Sequence, residues 1–342
     1  VLFWTKIQFS FEKSFMKILS IVIPENNSNA SSIMLSYEVF TKANEYYATI
    51  GKEPVFKVQL VGNSDTSALH GGLFTIRSEV SLAENPSSDL IIVPTLDEHI
   101  NNSLTANSRL IEWVAGQYKL GAEVASLCTG AFLLAAAGIL SGKQCSTHWL
   151  AAGAFRQMFP ELDLRPEKII TDEQGVYTTG GALSSMNLLL YLIEKYYSRE
   201  TAIFCAKLFE IDLNRNSQSP FTIFSGQKNH EDKEIKKAQL FMENNAGGKI
   251  SIEGLASMFS IDRRNFDRRF KKATSNTPAE YLQRIKIETA KKSLETTRKN
   301  VNEVMHDIGY SDIKAFRLVF KKITGLSPLE YRNKYNKEAS VY

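Results

Sequence analysis

The stretch Val124-Ala125-Ser126-Leu127-Cys128-Thr129-Gly130-Ala131-Phe132 runs an apolar strand pattern into a cysteine and starts a helical pattern within two residues. A strand that turns so sharply into a helix holds the residue at the bend over the end of a sheet. The elbow implies a strand at Glu123–Leu127 and a helix at Gly130–Ala137. Upstream, Asp89–Val93 is a continuous apolar run stopped by Pro94, the pattern of a central parallel strand covered on both faces. Lys17–Ile23 and Val55–Val61 read as further strands, and Leu73–Val80, after Gly71-Gly72, as a hairpin arm. Helical spacing runs through Leu35, Val39 and Ala43 in Ile33–Tyr47, and again through Ser108–Lys119. Short strands at Ile169–Ile170 and Val176–Thr179 precede a long helix, Leu183–Tyr197. Alternating strands and helices imply an α/β domain built on an open parallel, flavodoxin-like sheet. Ligands of such sheets sit beyond the carboxyl ends of the strands, where Cys128 lies.

At about 150 residues per domain, 342 residues make roughly two domains. Apolar residues at 43% and charged residues at 23% exclude disordered, collagen-like and disulfide-scaffold chains. The longest apolar stretches, Leu90–Pro94 and Ala131–Ala137, fall far short of the ~20 residues of a membrane helix, so no membrane partner is expected. Cys128, Cys145 and Cys205 form an odd set without a C-x-x-C pair, which points to a reducing, cytoplasmic compartment and no zinc site. No cofactor or metal motif stands out. Residues 1–15 have no clear period and no signal-peptide architecture; they read as an upstream extension before a start at Met16.

Charge divides the chain. From Glu231 onward there are 23 Lys and Arg against 15 Asp and Glu, a balance of +8; the first 230 residues carry 18 against 22, a balance of −4. A basic last third behind an acidic body suggests nucleic acid as the partner of that third.

Two chemistries compete at the elbow. The N-terminus of the following helix favours a thiolate at Cys128, and Ser146-Thr147-His148-Trp149 places an imidazole after another short strand, so the two form a candidate nucleophilic pair. The alternative is a cysteine suited to a tight turn and a hydrogen-bonded histidine, both lining a small-molecule pocket.

The segment SLCTGAFLLAAAGILSGKQCSTHW (residues 126–149), with TTGGALSSMNLLLYLIE (residues 178–194) after it, resembles the ThiJ/PfpI family, a branch of the class I glutamine amidotransferase-like fold. The resemblance covers about Lys17–Phe209. In the family's enzymes an elbow cysteine and a T-x-H histidine work with an acidic residue after the first strand. Cys128 and His148 match; the acidic position falls at about Ser32, within Asn29-Ala30-Ser31-Ser32. A serine cannot orient an imidazole as a carboxylate does. The resemblance therefore implies a degenerate Cys128–His148 pair in a pocket that also takes in Ser32, Thr129 and Gly180 and binds an effector without turnover. Nitrogenous metabolites are the class to try first. The alternative is a cysteine-dependent hydrolase or lyase of small amides or aldehydes.

Residues 211–230 are rich in Asn, Ser, Gln and Gly and read as a linker, although Phe221, Ile223 and Phe224 suit docking on one of the domains. It separates a domain at 16–210 from an all-α domain at 231–337, with a tail at 338–342. The second domain repeats itself. Phe266, Phe270, Lys271, Lys272, Thr274, Pro278, Glu280 and Tyr281 recur 50 residues later as Phe316, Phe320, Lys321, Lys322, Thr324, Pro328, Glu330 and Tyr331. Each copy reads as helix–turn–helix: Ser251–Phe259 and a helix capped by Asp262, then Val301–Ile308, Gly309 and a helix capped by Ser311 or Asp312. The phenylalanines spaced i, i+4 mark the buried face and leave polar side chains free near each helix start.

The run Gly309-Tyr310-Ser311-Asp312, Phe316, Phe320-Lys321-Lys322, Gly325-Leu326-Ser327-Pro328 and Tyr331-Arg332 strongly resembles the AraC/XylS-type DNA-binding domain. The first copy departs at Ser275-Asn276, where a glycine is usual. The resemblance implies two helices in successive major grooves of an operator in double-stranded DNA. Contacts are expected from Arg263, Arg264, Asn265 and Arg268 in one helix and from Ser311, Lys314, Arg317 and Lys321 in the other. The domain order resembles GlxA-type regulators, which implies a homodimeric transcription regulator. Leu188, Tyr191 and Leu192 of the long helix are the apolar surface expected to carry the dimer.

Overall fold

The computed structural model describes residues 16–25, 29–96, 99–181, 183–213 and 217–336. The expected extension at 1–15 and tail at 338–342 lie outside these residues. The chain divides into two units, Val1–Asn216 and Ser217–Tyr342.

The first unit contains β1 (Lys17–Ile23), α1 (Ala30–Thr49), β2 (Phe56–Gly62), β3 (Thr66–Leu69), β4 (Phe74–Arg77), β5 (Val80–Ser81), β6 (Leu90–Val93), α2 (Ile100–Ala106), α3 (Ser108–Lys119) and β7 (Glu123–Ser126). It continues with α4 (Ala131–Ala136), β8 (Gln144–Cys145), α5 (Ala152–Met158), β9 (Asp163–Leu164), β10 (Ile170–Glu173), β11 (Val176–Thr179), α6 (Ser184–Tyr196) and α7 (Arg199–Leu208). One sheet of seven strands runs in the order β10-β11-β7-β6-β1-β2-β5. Successive side chains of a strand face opposite ways, which explains the continuous apolar run of β6. Leu90 and Ile92 join the core under α1, α6 and α7, while Ile91 and Val93 join the one under α3, α4 and α5.

The expected parallel sheet requires one correction: β10 pairs antiparallel with β11, so the sheet is mixed. Only Gln174 and Gly175 connect them, both at positive φ (56° and 77°). A two-residue turn can close a hairpin, whereas a parallel neighbour needs a crossover of about a dozen residues. The single arm expected at Leu73–Val80 is also divided, because β4 pairs back on β3 and β5 joins the main sheet.

The second unit holds α8 (Lys233–Asn244), α9 (Ile252–Met258), α10 (Arg263–Thr274), α11 (Pro278–Thr296), α12 (Val301–Asp307), α13 (Ile313–Thr324) and α14 (Pro328–Tyr335). Each begins at a side chain that accepts a backbone N–H: Asp232, Ser251, Asp262, Thr277, Asn300, Asp312 and Ser327. Asp312, not Ser311, is therefore the cap of α13.

The sequence repeat reappears as repeated packing. Phe266, Phe270 and Tyr281 meet in series, tilted and then edge-to-face, at ring distances of 5.6 and 5.3 Å, and Phe316, Phe320 and Tyr331 meet edge-to-face at 5.6 and 5.5 Å. Each tyrosine hydroxyl donates to a glutamate of the helix opening its half, Tyr281 to Glu243 and Tyr331 to Glu295. Glu295 lies on α11, so that helix closes the first half and opens the second. Residues 217–230, expected as part of a linker, belong to this unit.

Candidate ligand cavity and nucleic-acid interface

Loops at the carboxyl ends of β1, β6 and β7 border a partly open cleft of about 300 Å³. Asn29, Ser31, Ser32, Thr95, Cys128, His148 and Ser185 supply its polar wall, and Leu35, Leu127, Leu183, Met186 and Leu189 its apolar wall. None of these described lining residues is Asp, Glu, Lys or Arg. The three residues singled out as a degenerate site, Ser32, Cys128 and His148, are thus brought together. Thr129 and Gly180 are not on the wall: Thr129 Oγ1 donates to Leu96 O at 2.8 Å, and Gly180 N to Ile169 O at 2.9 Å.

Local backbone chemistry builds the elbow. Cys128 sits at φ +55°, a conformation costly for a residue with a side chain and common at functional turns. A Cβ on Gly130 would lie 2.6 Å from Pro94 O and 2.7 Å from Val93 O, so only glycine lets the turn close against the end of β6. Thr147 Oγ1 donates to Cys128 O at 2.9 Å and ties the histidine loop to the elbow. Ser32 Oγ donates to Asn29 O at 2.8 Å and accepts the Thr95 N–H at 3.2 Å. The serine at the acidic position therefore fastens two loops.

His148 Nδ1 accepts the Leu150 N–H at 3.0 Å, which assigns the proton of the neutral ring to Nε2. Burial pushes its pKa below the usual histidine range, keeping it neutral. Among the described residues no hydrogen bond joins Cys128 to His148, and none joins either to a carboxylate. A base that has committed Nδ1 and holds a proton on Nε2 has no lone pair for a thiol. What the ring can present is an N–H donor. Ser185 is 6% exposed, and its Oγ, on the wall, has no partner among the described residues. A buried hydroxyl without a partner is costly, so a ligand atom there would recover the bond. The sequence reading missed Ser185 because a serine at a helix start normally reads as a cap. Its position after the Gly180-Gly181 turn was the available signal.

On the second unit, α10 and α13 bury their phenylalanines and expose their other faces. Arg264, Arg268 and Lys271 are exposed and lie i, i+4, i+7 on one stripe of α10. The same stripe of α13 carries Lys314, Leu318 and Lys321, with Leu318 70% exposed. Arg317 and Ser311 are exposed as well. Arg263 is held within the protein: its Nε donates to Asp267 at 2.9 Å and its guanidinium also pairs with Glu253. Arg268 donates to Asn265 Oδ1 at 2.8 Å. Leu318 was missed, although the 50-residue offset places it where α10 has Arg268.

Residues 20–195 match the DJ-1/PfpI family, and residues 255–334 match a helix-turn-helix domain family. The chain is 25% identical to the HTH-type transcriptional regulator GbdR of Pseudomonas aeruginosa over 226 residues, 65% of this chain and 60% of that one. It is 22% identical to CdhR of Pseudomonas aeruginosa over 75% of this chain and 76% of the relative. With GlxA of Rhizobium meliloti it shares 22% identity over 63% and 67%. The match thus spans about three-fifths of the length of GbdR. A putative transcriptional regulator from Vibrio parahaemolyticus has a similar fold, with a TM-score of 0.50 at 20% identity over 56% of this chain and 98% of that structure. The chain belongs to the DJ-1/PfpI family and carries a helix-turn-helix domain behind it, the arrangement of GlxA-type regulators.

Proposed function

We propose that the protein is a sequence-specific transcription regulator whose first domain senses a small molecule without turning it over. One observation carries the DNA-binding half: two equivalent helices, α10 and α13, each bury an aromatic face and expose a basic stripe, on either side of a shared α11. This pattern supports two helix–turn–helix modules in place of one, with Arg264, Arg268, Lys314, Leu318 and Arg317 toward bases and Lys271 and Lys321 toward phosphates of an operator. The sensing half rests on a cleft whose histidine is a donor and whose Ser185 hydroxyl has no partner among the described residues. The hydrolase or lyase alternative is disfavoured by the committed Nδ1 of His148 and by Ser32, which bonds to backbone where a carboxylate would be needed.

The homodimer stays part of the reading on a different surface. Of the three residues expected to carry the dimer, Leu188 and Leu192 are fully buried in the unit's own core and only Tyr191, 37% exposed, reaches the surface. Leu150 and Leu183, 69% and 63% exposed, offer apolar surface in the segments that carry His148 and the cavity wall. Among the described residues no helix is long and apolar enough to cross a membrane.

The deciding experiment is selection of binding sites from a random duplex library by the full chain, with a thermal-shift screen of small metabolites. A ligand at 100 times its Kd should stabilise the protein by about 2.7 kcal/mol and leave the reaction mixture chemically unchanged by mass spectrometry. Failure to enrich any site removes the regulator reading, and Cys128-dependent conversion of a ligand restores the enzyme.

A further inference from the structure

Helix α11 buries two lysines, and both hold backbone from elsewhere in the unit. Lys286 is 9% exposed and Lys291 3%. Lys286 Nζ donates to Gly248 O at 3.1 Å and to Ile308 O at 2.7 Å. Gly248 precedes α9 in the first half; Ile308 follows α12 in the second. The backbones meet closely there, since a Cβ on Gly247 would lie 2.7 Å from Asp307 O and one on Gly309 only 2.8 Å from Gly247 O.

Lys291 Nζ donates to Thr222 O, and to Glu288 Oε2 at 2.8 Å. Thr222 belongs to residues 217–230, which are fastened to both halves. Toward the second half, Tyr335 OH donates to Pro220 O at 3.0 Å, and Lys334 Nζ sits 4.6 Å over the Phe221 ring. Toward the first half, Phe224 N donates to Glu288 at 3.1 Å, its ring meets Tyr281 edge-on at 5.1 Å, and Gln239 Nε2 donates to Gln227 O at 2.9 Å.

A buried ammonium costs free energy that an apolar side chain of similar length would not. What the ammonium adds is geometry. Two carbonyls from different halves converge on one nitrogen at Lys286, so a shift of one half against the other would cost a hydrogen bond of a buried ammonium. A second pin, Lys291, holds a segment laid across both. We propose that Lys286 and Lys291 are positioning residues that fix the separation of α10 and α13, and thereby the base-pair spacing the protein accepts between two contacted DNA segments. This inference rests on the DNA-binding reading above.

The test uses the full chain and its own selected site. Inserting one base pair between the two contacted segments should weaken wild-type binding at least tenfold. Lys286→Met and Lys291→Met should reduce that penalty to threefold or less, with affinity for a single segment unchanged within twofold. Lys291→Arg, which keeps the donors, should restore most of it. Methionine variants that are folded by circular dichroism and keep the tenfold penalty overturn the proposal. Should they fail to fold, Tyr335→Phe loosens the same segment from its edge and should lower the penalty about threefold; an unchanged penalty again overturns it. If the wild type selects no site, the DNA reading fails on its own, and amide exchange judges the pin separately. The Phe224 amide should exchange at least tenfold faster in Lys291→Met than in wild type, and equal rates overturn the pin.

Discussion

A Cβ atom on Gly181 would lie 1.7 Å from Cδ2 of His148 and 2.3 Å from its Nε2, so the imidazole occupies the space any other residue at 181 would fill. The ring's place in the cavity is thereby set from two sides: Gly181 leaves the room, and the Leu150 N–H holds Nδ1. Replacing Gly181 with Ala should displace the ring. We expect a stability loss of about 1–3 kcal/mol, the usual cost of overpacking, and loss of the ligand-induced thermal shift. Gly153 is the control, since nothing stands within 4 Å of its would-be Cβ. Gly153→Ala should keep the ligand shift intact and, inside a helix, raise stability by up to about 1 kcal/mol. Equal ligand shifts in the two variants would contradict the assignment of His148 to the binding wall.

The neutral state of His148 has a pH consequence with a definite sign. Burial lowers its pKa in the folded protein below the value of 6.5 expected for the open chain. As pH falls past that value the unfolded chain takes up a proton that the native one refuses, so unfolding is favoured. The stabilisation is complete above the unfolded pKa and is lost as pH falls toward the folded one. His148→Asn, whose Oδ1 can still accept the Leu150 N–H, should flatten the slope of stability against pH just below 6.5. Denaturant titrations of both proteins at several pH values measure it, and parallel slopes would refute the buried neutral ring.

The two halves of the helical unit differ at one backbone position that chemistry can exploit. Helix α10 ends at Ser275 with φ +58°, and α13 ends at Gly325 with φ +76°. A left-handed residue with a Cβ costs roughly 1 kcal/mol more than glycine there. Ser275→Gly should therefore stabilise by about 0.5–1 kcal/mol and Gly325→Ala should destabilise by about 1 kcal/mol. The pair of substitutions, followed by urea unfolding, isolates the backbone term, because the Gly325 Cβ position meets only ordinary contacts at 3.6 Å or more.

Much of this architecture was legible in the sequence because it is written in apolar period. The strand of Lys17–Ile23 and the helix of Ser108–Lys119 have the boundaries their patterns imply. The Phe266/Phe270 and Phe316/Phe320 pairs declared the buried faces of α10 and α13. What escaped was encoded otherwise. Helix α6 is apolar on several faces, and its Leu188 and Leu192 look like a surface stripe until the sheet covers them. Ser185 carries no sign that its hydroxyl would have no partner among the described residues. Residues 217–230 were legible in part: Phe224 packs on Tyr281 and Phe221 lies under Lys334, as their aromatic rings imply, while Ile223 stays 59% exposed. The carbonyl anchors of Pro220, Thr222 and Gln227 escaped, because every residue type has a carbonyl.

Discrimination between bases and affinity for DNA should separate along the exposed stripes of α10 and α13. Arg264 has no internal partner among the described residues, whereas Arg263 is committed to Asp267 and Glu253. An unpaired Arg near a helix start can bond bidentately to guanine, and that contact gives about 1–3 kcal/mol of discrimination. Arg264→Ala should therefore relax preference at one or two base pairs, and Arg263→Ala should change preference less. Leu318 has no charge to offer a phosphate and, at 70% exposure, has no internal reason to point outward. Against DNA its natural neighbour is a thymine methyl, so Leu318→Ala should erase a thymine preference and leave the salt dependence unchanged. Lys321, four residues after Arg317 on the exposed side of α13, should act through a phosphate. Lys321→Ala is expected to weaken all sequences alike and to reduce the slope of log K against log salt by about one. Site selection with each of the four variants at two salt concentrations separates these outcomes. If Leu318→Ala retains every preference of the wild type while Lys321→Ala loses one, the assignment of base-facing and phosphate-facing positions on α13 must be reversed.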